Sequence, residues 1–136
     1  MAQSTLNRNA KALLTEPVFA HVALIRGDGT PHVTPVWVDT DGENVIINTA
    51  MGRSKALNIH KDSIVAMSML DPKNPYQAVA FQGTVTDVTE AGADAHIDFL
   101  AKKYLGLDVY PNRQPGERRI KMTIRPDKVW MQPAEN

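Results

Sequence analysis

Apolar positions along the chain recur with two periods, and the period changes predict the elements. Leu6, Ala10, Leu13 and Leu14 fall at helical spacing, which predicts a short amphipathic helix over residues 5–15, stopped by Pro17. Residues 18–25 are a continuous β-favouring run. Residues 32–38 and 44–49 are two more, and the turns between the three carry Asp28-Gly29 and Asp41-Gly42. Asp-Gly supplies the positive φ that tight hairpins require, so these strands form an antiparallel meander.

A short helix is expected over 54–61, then a strand over 63–70, and a loop over 71–75 because both of its prolines resist pairing. Residues 77–88 predict one long strand, with Gly83 marking a bulge or bend. Ile97, Leu100, Ala101 and Tyr104 share one face of the longest predicted helix, residues 90–105. A loop over 107–116 leads to strand segments at 117–125 and 128–131. Mainly antiparallel strands with a few helices predict a closed or nearly closed β-barrel with helices at its edges.

The length of 136 residues predicts one domain spanning 1–136, and neither an internal repeat nor a linker interrupts it. No segment reaches the roughly 18 apolar residues of a membrane span, and the polar start after Met1 argues against a secretory signal. A cytoplasmic protein with no membrane association is the expectation. The absence of cysteine excludes disulfides, thiolate metal sites and a Cys nucleophile. A formal net charge of zero disfavours a duplex-binding module, but leaves room for a local pocket that binds a small anion.

The motifs that carry side-chain chemistry are missing. His21, His32, His60 and His96 have no tight ligand spacing, so no metal site is expected, and no motif marks His21 or His32 as a haem ligand. Gly27-Asp28-Gly29 lacks the helix and lysine of a phosphate loop, and there is no GxSxG elbow. The carboxylates are scattered among turns, so no catalytic residue is assigned. Either the chain is not an enzyme or a cofactor supplies the reaction.

Three stretches remain to be explained. In Asn48-Thr49-Ala50-Met51-Gly52-Arg53-Ser54-Lys55 a strand hands over to a helix start bearing two cations and a hydroxyl. Unpaired N–H groups at a helix N-terminus favour anions, Arg53 can grip a phosphate with two bonds and Lys55 adds a point charge. A solvated helix start is the plainer alternative. In Val33-Thr34-Pro35-Val36-Trp37-Val38 a proline sits inside a strand, which implies an edge, a bulge or a groove. Trp37 then packs in the core or walls a site for a planar ligand. Arg118 and Arg119, taken alone, read as a solvated strand edge.

Five motifs in this order resemble the FMN-binding split-barrel superfamily, the fold of pyridoxamine 5'-phosphate oxidase: HVTPVWV (32–38), INTAMGRSKALNI (47–59), VAFQGTVTDV (79–88), KKYLGLDVYP (102–111) and ERRIKMTIRPDKVW (117–130). Within it the chain is most similar to the B group of flavin/deazaflavin oxidoreductases that use coenzyme F420. The resemblance implies a split β-barrel of six or seven antiparallel strands in a Greek-key-like order, with flanking helices. It implies a homodimer with cofactor sites at the interface.

The ring would lie beside Thr34, Pro35, Val36 and Trp37 and the strand end at Asn48 and Thr49. Its phosphate would meet Arg53, Ser54 and Lys55. Tyr76 and Gln77 match a region lent across the dimer, and Trp130 lies where the last strand approaches the pocket. The implied activity is hydride transfer from reduced F420 to an electron-poor double bond of a small organic substrate. The alternatives are an FMN-dependent pyridoxamine phosphate oxidase-like enzyme and a non-catalytic flavin- or deazaflavin-binding protein. The arginine-rich substrate motif of true pyridoxamine phosphate oxidases is absent near the C-terminus, which favours F420 over FMN. Met51, Met67 and Met69 are either adaptable pocket residues or plain core.

Overall fold

Seven antiparallel strands and two helices make up the described part of the chain, residues 6–52 and 59–132 of a computed structural model. In chain order these are α1 (Arg8–Thr15), β1 (Phe19–Ile25), β2 (Pro31–Trp37), β3 (Asp39–Thr40), β4 (Val45–Ala50), β5 (Ile64–Asp71), β6 (Asn74–Thr89), α2 (Ala93–Leu105) and β7 (Arg119–Gln132). The strands form one sheet in the order β2-β1-β5-β6-β7-β4-β3. Its two edge strands, β2 and β3, are separated in sequence by Val38 alone. Cα atoms two residues apart lie within about 7 Å. The sheet must therefore curl until its edges meet, which gives the split barrel.

Strand alternation fills the barrel. Ala20, Val22 and Leu24 of β1, Val65, Met67 and Met69 of β5, Val79, Phe81 and Val85 of β6, and Ile120, Met122 and Ile124 of β7 form its core. Met67 and Met69 are thus core residues, while Met51 is exposed. Helix α1 closes one end with Ala10 and Leu14; the Asn7 side chain caps it, accepting from Ala10 N–H at 2.9 Å. The polypeptide turns extended at Glu16, just before Pro17.

Helix α2 lies against β4 and β7, with Ala93, Ile97, Leu100 and Ala101 buried. Gly92 and Gly106 bound it, both with φ near +74° or +73°, the left-handed conformation that suits glycine at a helix end. These apolar residues lie outside the barrel core, so α2 builds a second, smaller layer.

Four expectations are corrected. The strands at 18–25, 32–38 and 44–49 are not a meander: β1 pairs with β2, but β4 pairs with β3 and β7 on the other side of the sheet. Residues 71–75 are not a loop: Pro72 and Lys73 make a tight turn, and Pro75 lies inside β6. The segments at 117–125 and 128–131 are one strand, β7, which passes through Pro126 where its register against β6 shifts. The helix expected over 54–61 falls mostly outside the described residues. At its end the chain is a turn instead, closed by Ser63 N–H donating to His60 O at 3.0 Å.

The outer face of β2, β1, β5, β6 and β7 is unusually apolar. Phe19, Ile25, Val33, Ile64, Leu70, Tyr76 and Trp130 are exposed. Between them runs a row of small residues in register, with Ala23 opposite Ala66 and Ser68 opposite Ala80.

Candidate functional site

Helix α2, the end of β2 and the outer side of β4 enclose a cleft of ≈ 210 Å³. Pro35, Val36 and Trp37 form one wall, Asn48 and Thr49 another, and Phe19, Ile97, Leu100, Tyr110, Asn112 and Arg119 complete it. Pro35 is tolerated because β2 is an edge strand, with a ladder on one side only.

Tyr104 of α2 holds the aromatic wall in place. Trp37 stacks on its ring at 4.9 Å with planes 6° apart, and meets Tyr110 edge-on at 6.0 Å. The Tyr104 hydroxyl donates to Val18 O and accepts from Val38 N–H at 2.9 Å, so it ties α2 to the junctions before β1 and after β2. Burial pushes the Tyr104 hydroxyl up to about 12, despite the hydrogen bond with Val38. Next to it, the Lys103 ammonium donates to Leu14 O and Val38 O, each at 2.6 Å. Burial lowers the Lys103 pKa, partly offset by the charges of Asp39 and Glu16.

Replacing Tyr104 by Phe strips both hydrogen bonds and leaves buried backbone groups unpaired, so stability should fall by about 1–3 kcal/mol. The neutral phenol is favoured by folding. Its contribution is therefore complete below pH 10 and is lost between about 10 and 12. Thermal melts across that range should show a decline in the native protein that Y104F lacks. The comparison between the two proteins cancels the opposite trend from Lys103.

Behind the cleft a buried polar chain joins four elements. Arg119 Nε donates to Asn48 Oδ1 at 2.8 Å. Arginine only donates, so the Asn48 oxygen must face it and the amide NH2 must face α2. There Nδ2 donates to Ala93 O at 2.9 Å and lies 3.1 Å from His96 Nδ1. His96 Nδ1 then accepts, and Nε2 carries the hydrogen that it donates to Asp39 Oδ2 at 3.1 Å. Burial raises the Asp39 pKa, but the hydrogen bonds from His96 and Thr40, with the charge of Lys103, outweigh it and keep the carboxylate below its ordinary range. Tyr110 lies over the Arg119 guanidinium at 5.2 Å.

Of the twelve residues expected to touch a cofactor, Pro35, Val36, Trp37, Asn48 and Thr49 line this one cleft. Thr34 is outside its wall; its buried Oγ1 has no hydrogen-bond partner. Tyr76 and Gln77 are exposed at the start of β6, and Trp130 faces outward on β7; none of the three lines the cleft. Arg53, Ser54 and Lys55 lie outside the described residues. They follow Thr49 by four to six residues in the sequence.

The reading of the arginine pair as a solvated edge holds for Arg118, which is exposed and paired to Glu90, and fails for Arg119, whose side chain is 3% exposed. His96 was also missed, though its place at helical spacing with Ala93 and Leu100 puts it on the packed face of α2.

An aromatic wall and a polar edge suit a planar, oxygen-bearing ring. The chain matches the family model for pyridoxamine 5'-phosphate oxidase over residues 6–132. It belongs to the pyridoxamine 5'-phosphate oxidase family, with its FMN-binding split barrel. No curated protein matches the chain.

Among solved structures, this member of the pyridoxamine 5'-phosphate oxidase family is similar to an F420 reductase, with 31% identity and a TM-score of 0.79 over 92% of this chain and 98% of that one. A pyridoxamine 5'-phosphate oxidase-like protein of Lactobacillus delbrueckii shares the fold at 22% identity and a TM-score of 0.59, covering 94% and 99%. An FAD- and haem-binding protein of Mycobacterium smegmatis does so at 16% and 0.64, covering 97% and 75%. Among the described residues no group of three metal-ligating side chains comes together, and no helix is long and apolar enough to cross a membrane.

Proposed function

We propose that the chain is an oxidoreductase that uses reduced coenzyme F420 to pass a hydride to an electron-poor double bond of a small organic molecule. One observation carries this reading. The Pro35–Trp37 wall and the Asn48–Thr49 edge meet in a cleft from which the chain runs directly to Arg53, Ser54 and Lys55. A flat recess on a strand that leads in sequence to two cations and a hydroxyl suits a ring that bears a phosphate. The similarity to an F420 reductase over nearly the whole of both chains supports the deazaflavin over FMN.

In this reading Pro35, Val36 and Trp37 lie along the ring, Asn48 and Thr49 meet its polar edge, and Arg53, Ser54 and Lys55 hold the phosphate. The bound cofactor supplies the hydride. The protein orients the reactants and excludes water, and the proton that completes the reduction comes from solvent or from the cofactor, with no side-chain acid required.

The site is completed by a second copy of the chain. The apolar outer face reaches the cleft through Phe19 and Pro35, which line the cleft and are exposed. A partner seated on that face brings Tyr76, Gln77 and Trp130 to the site from outside. Sedimentation should give twice the 15.0 kDa chain mass, and a monomer at micromolar concentration contradicts the shared site.

The activity is tested anaerobically with reduced F420 and a panel of cyclic enones and quinones. Reoxidation of the deazaflavin with loss of the enone double bond is expected. Binding without turnover on the whole panel would make the chain a carrier. Tight FMN with oxygen-dependent consumption of pyridoxamine phosphate would make it an oxidase.

A further inference from the structure

One wall of the cleft belongs to no strand or helix. Tyr110 and Asn112 stand on the connection between α2 and β7, while every other lining residue stands on a strand or on α2. From Leu107 to Gly116 each residue is exposed except Tyr110, which is partly buried.

This connection is built as a strap. Gly106 and Gly116 bound it, with φ of +73° and +74°, and glycine can absorb there a change of direction that other residues resist. Between them the backbone is stiffer: Pro111 fixes its own φ and biases Tyr110 towards extended conformations. A single carboxylate oxygen fastens the middle. Asp98 Oδ1, on α2, accepts from the Tyr110 N–H at 2.9 Å and from Arg113 Nη2 at 3.0 Å. Among the described residues the strap's other polar side-chain tie to the body is Lys102 to Asp108 at 3.3 Å, between exposed groups.

Held in this way, the Tyr110 ring meets Trp37 edge-on at 6.0 Å and lies over the Arg119 guanidinium at 5.2 Å. The space that remains is ≈ 210 Å³. Pockets that take a drug-sized ligand begin at about 300 Å³, so a tricyclic ring needs one wall to give way. The strand walls are fixed by their ladders and α2 by its buried face; the strap is fixed by Asp98.

We propose that residues 107–115 are a strap that covers the cleft until a flat aromatic molecule displaces Tyr110, with Asp98 as its latch. The ligand class rests on the ring-binding reading of the cleft. Asp98 then opposes binding. A closed strap lowers the apparent affinity by the fraction of molecules in which it stands open, so a weaker latch tightens binding. A side chain that merely supported the wall would have the reverse effect when removed.

The test compares Asp98→Ala and Arg113→Ala with the native strap, all in a Trp130→Phe background that leaves Trp37 as the sole tryptophan. Lumiflavin, a tricycle without a phosphate, is titrated at equilibrium and then mixed rapidly with each protein while Trp37 fluorescence is followed. Asp98→Ala should bind it about tenfold tighter, through faster association at an unchanged dissociation rate. Arg113→Ala leaves the Tyr110 bond in place and should tighten binding a few-fold. Asp98→Asn, of the same shape, should match Arg113→Ala and serves if Asp98→Ala does not fold. Unchanged or weaker binding in the Asp98 variants overturns the proposal.

Acrylamide quenching of Trp37 reads the strap without a ligand. It should rise in Asp98→Ala, and quenching equal to that of the native strap also overturns the proposal. If lumiflavin binds none of the proteins, the ring-binding reading fails, and the quenching result alone decides whether the strap opens.

Discussion

Replacing Arg53 and Lys55 together by alanine should reduce cofactor affinity by at least about 100-fold. Each charge-assisted hydrogen bond to a phosphate contributes about 1.5–3 kcal/mol, and two losses at the same anion exceed 3 kcal/mol. Arg53 and Lys55 follow Asn48 and Thr49 of β4, which line the cleft, by a few residues in the sequence, and the proposed function sets the phosphate at the first pair and the ring at the second. The loss should appear for both FMN and F420, since both carry a phosphate, and it should shrink with salt. Lumiflavin, which has no phosphate, should bind the double variant as it binds the native protein. Equilibrium fluorescence titration measures all three, and an unchanged FMN affinity removes the phosphate site from Arg53 and Lys55.

The second large effect concerns stability. A Cβ added at Gly83 would sit 2.6 Å from Arg125 O and 2.7 Å from Ile124 Cγ2. One of these is backbone, so no side-chain rotation relieves the contact. Gly83 also marks a shift in register between β6 and β7, the most extensively paired strands of the barrel. Gly83→Ala should destabilise the fold by about 3 kcal/mol and lower Tm by roughly 10 °C. Gly27→Ala is the control, since a Cβ there meets nothing within 4 Å. Equal melting temperatures for the two variants would mean that the strands move apart at no energetic cost.

How far the sequence reveals this protein depends on the range of the interactions. The turns were legible because they are local: Gly29 and Gly42 adopt the positive φ that Asp-Gly predicts. The meander was not, because β4 pairs with the distant β7 and not with β2. Gly83 was legible as a bulge because glycine within a β pattern has few other uses. Pro75 and Pro126 misled, because the ban on proline applies to a central ladder, and these lie near a strand end and at a register shift. Arg119 was illegible: alternation puts it on the face of β7 opposite the buried Ile120, a face that solvent would reach if α2 and Tyr110 did not cover it. That cover comes from residues distant in sequence, and a local pattern carries no trace of it. The Asp39–His96 pair spans 57 positions and escaped for the same reason.

The central proposal is that the cleft, with Arg53, Ser54 and Lys55 after β4, binds a redox ring with a phosphate. Titration of the purified native protein with FMN and with F420, followed by cofactor fluorescence, tests it most directly. The account predicts saturable binding of F420 at one site per chain, tighter than FMN. Failure of both cofactors to bind at millimolar concentration would contradict it.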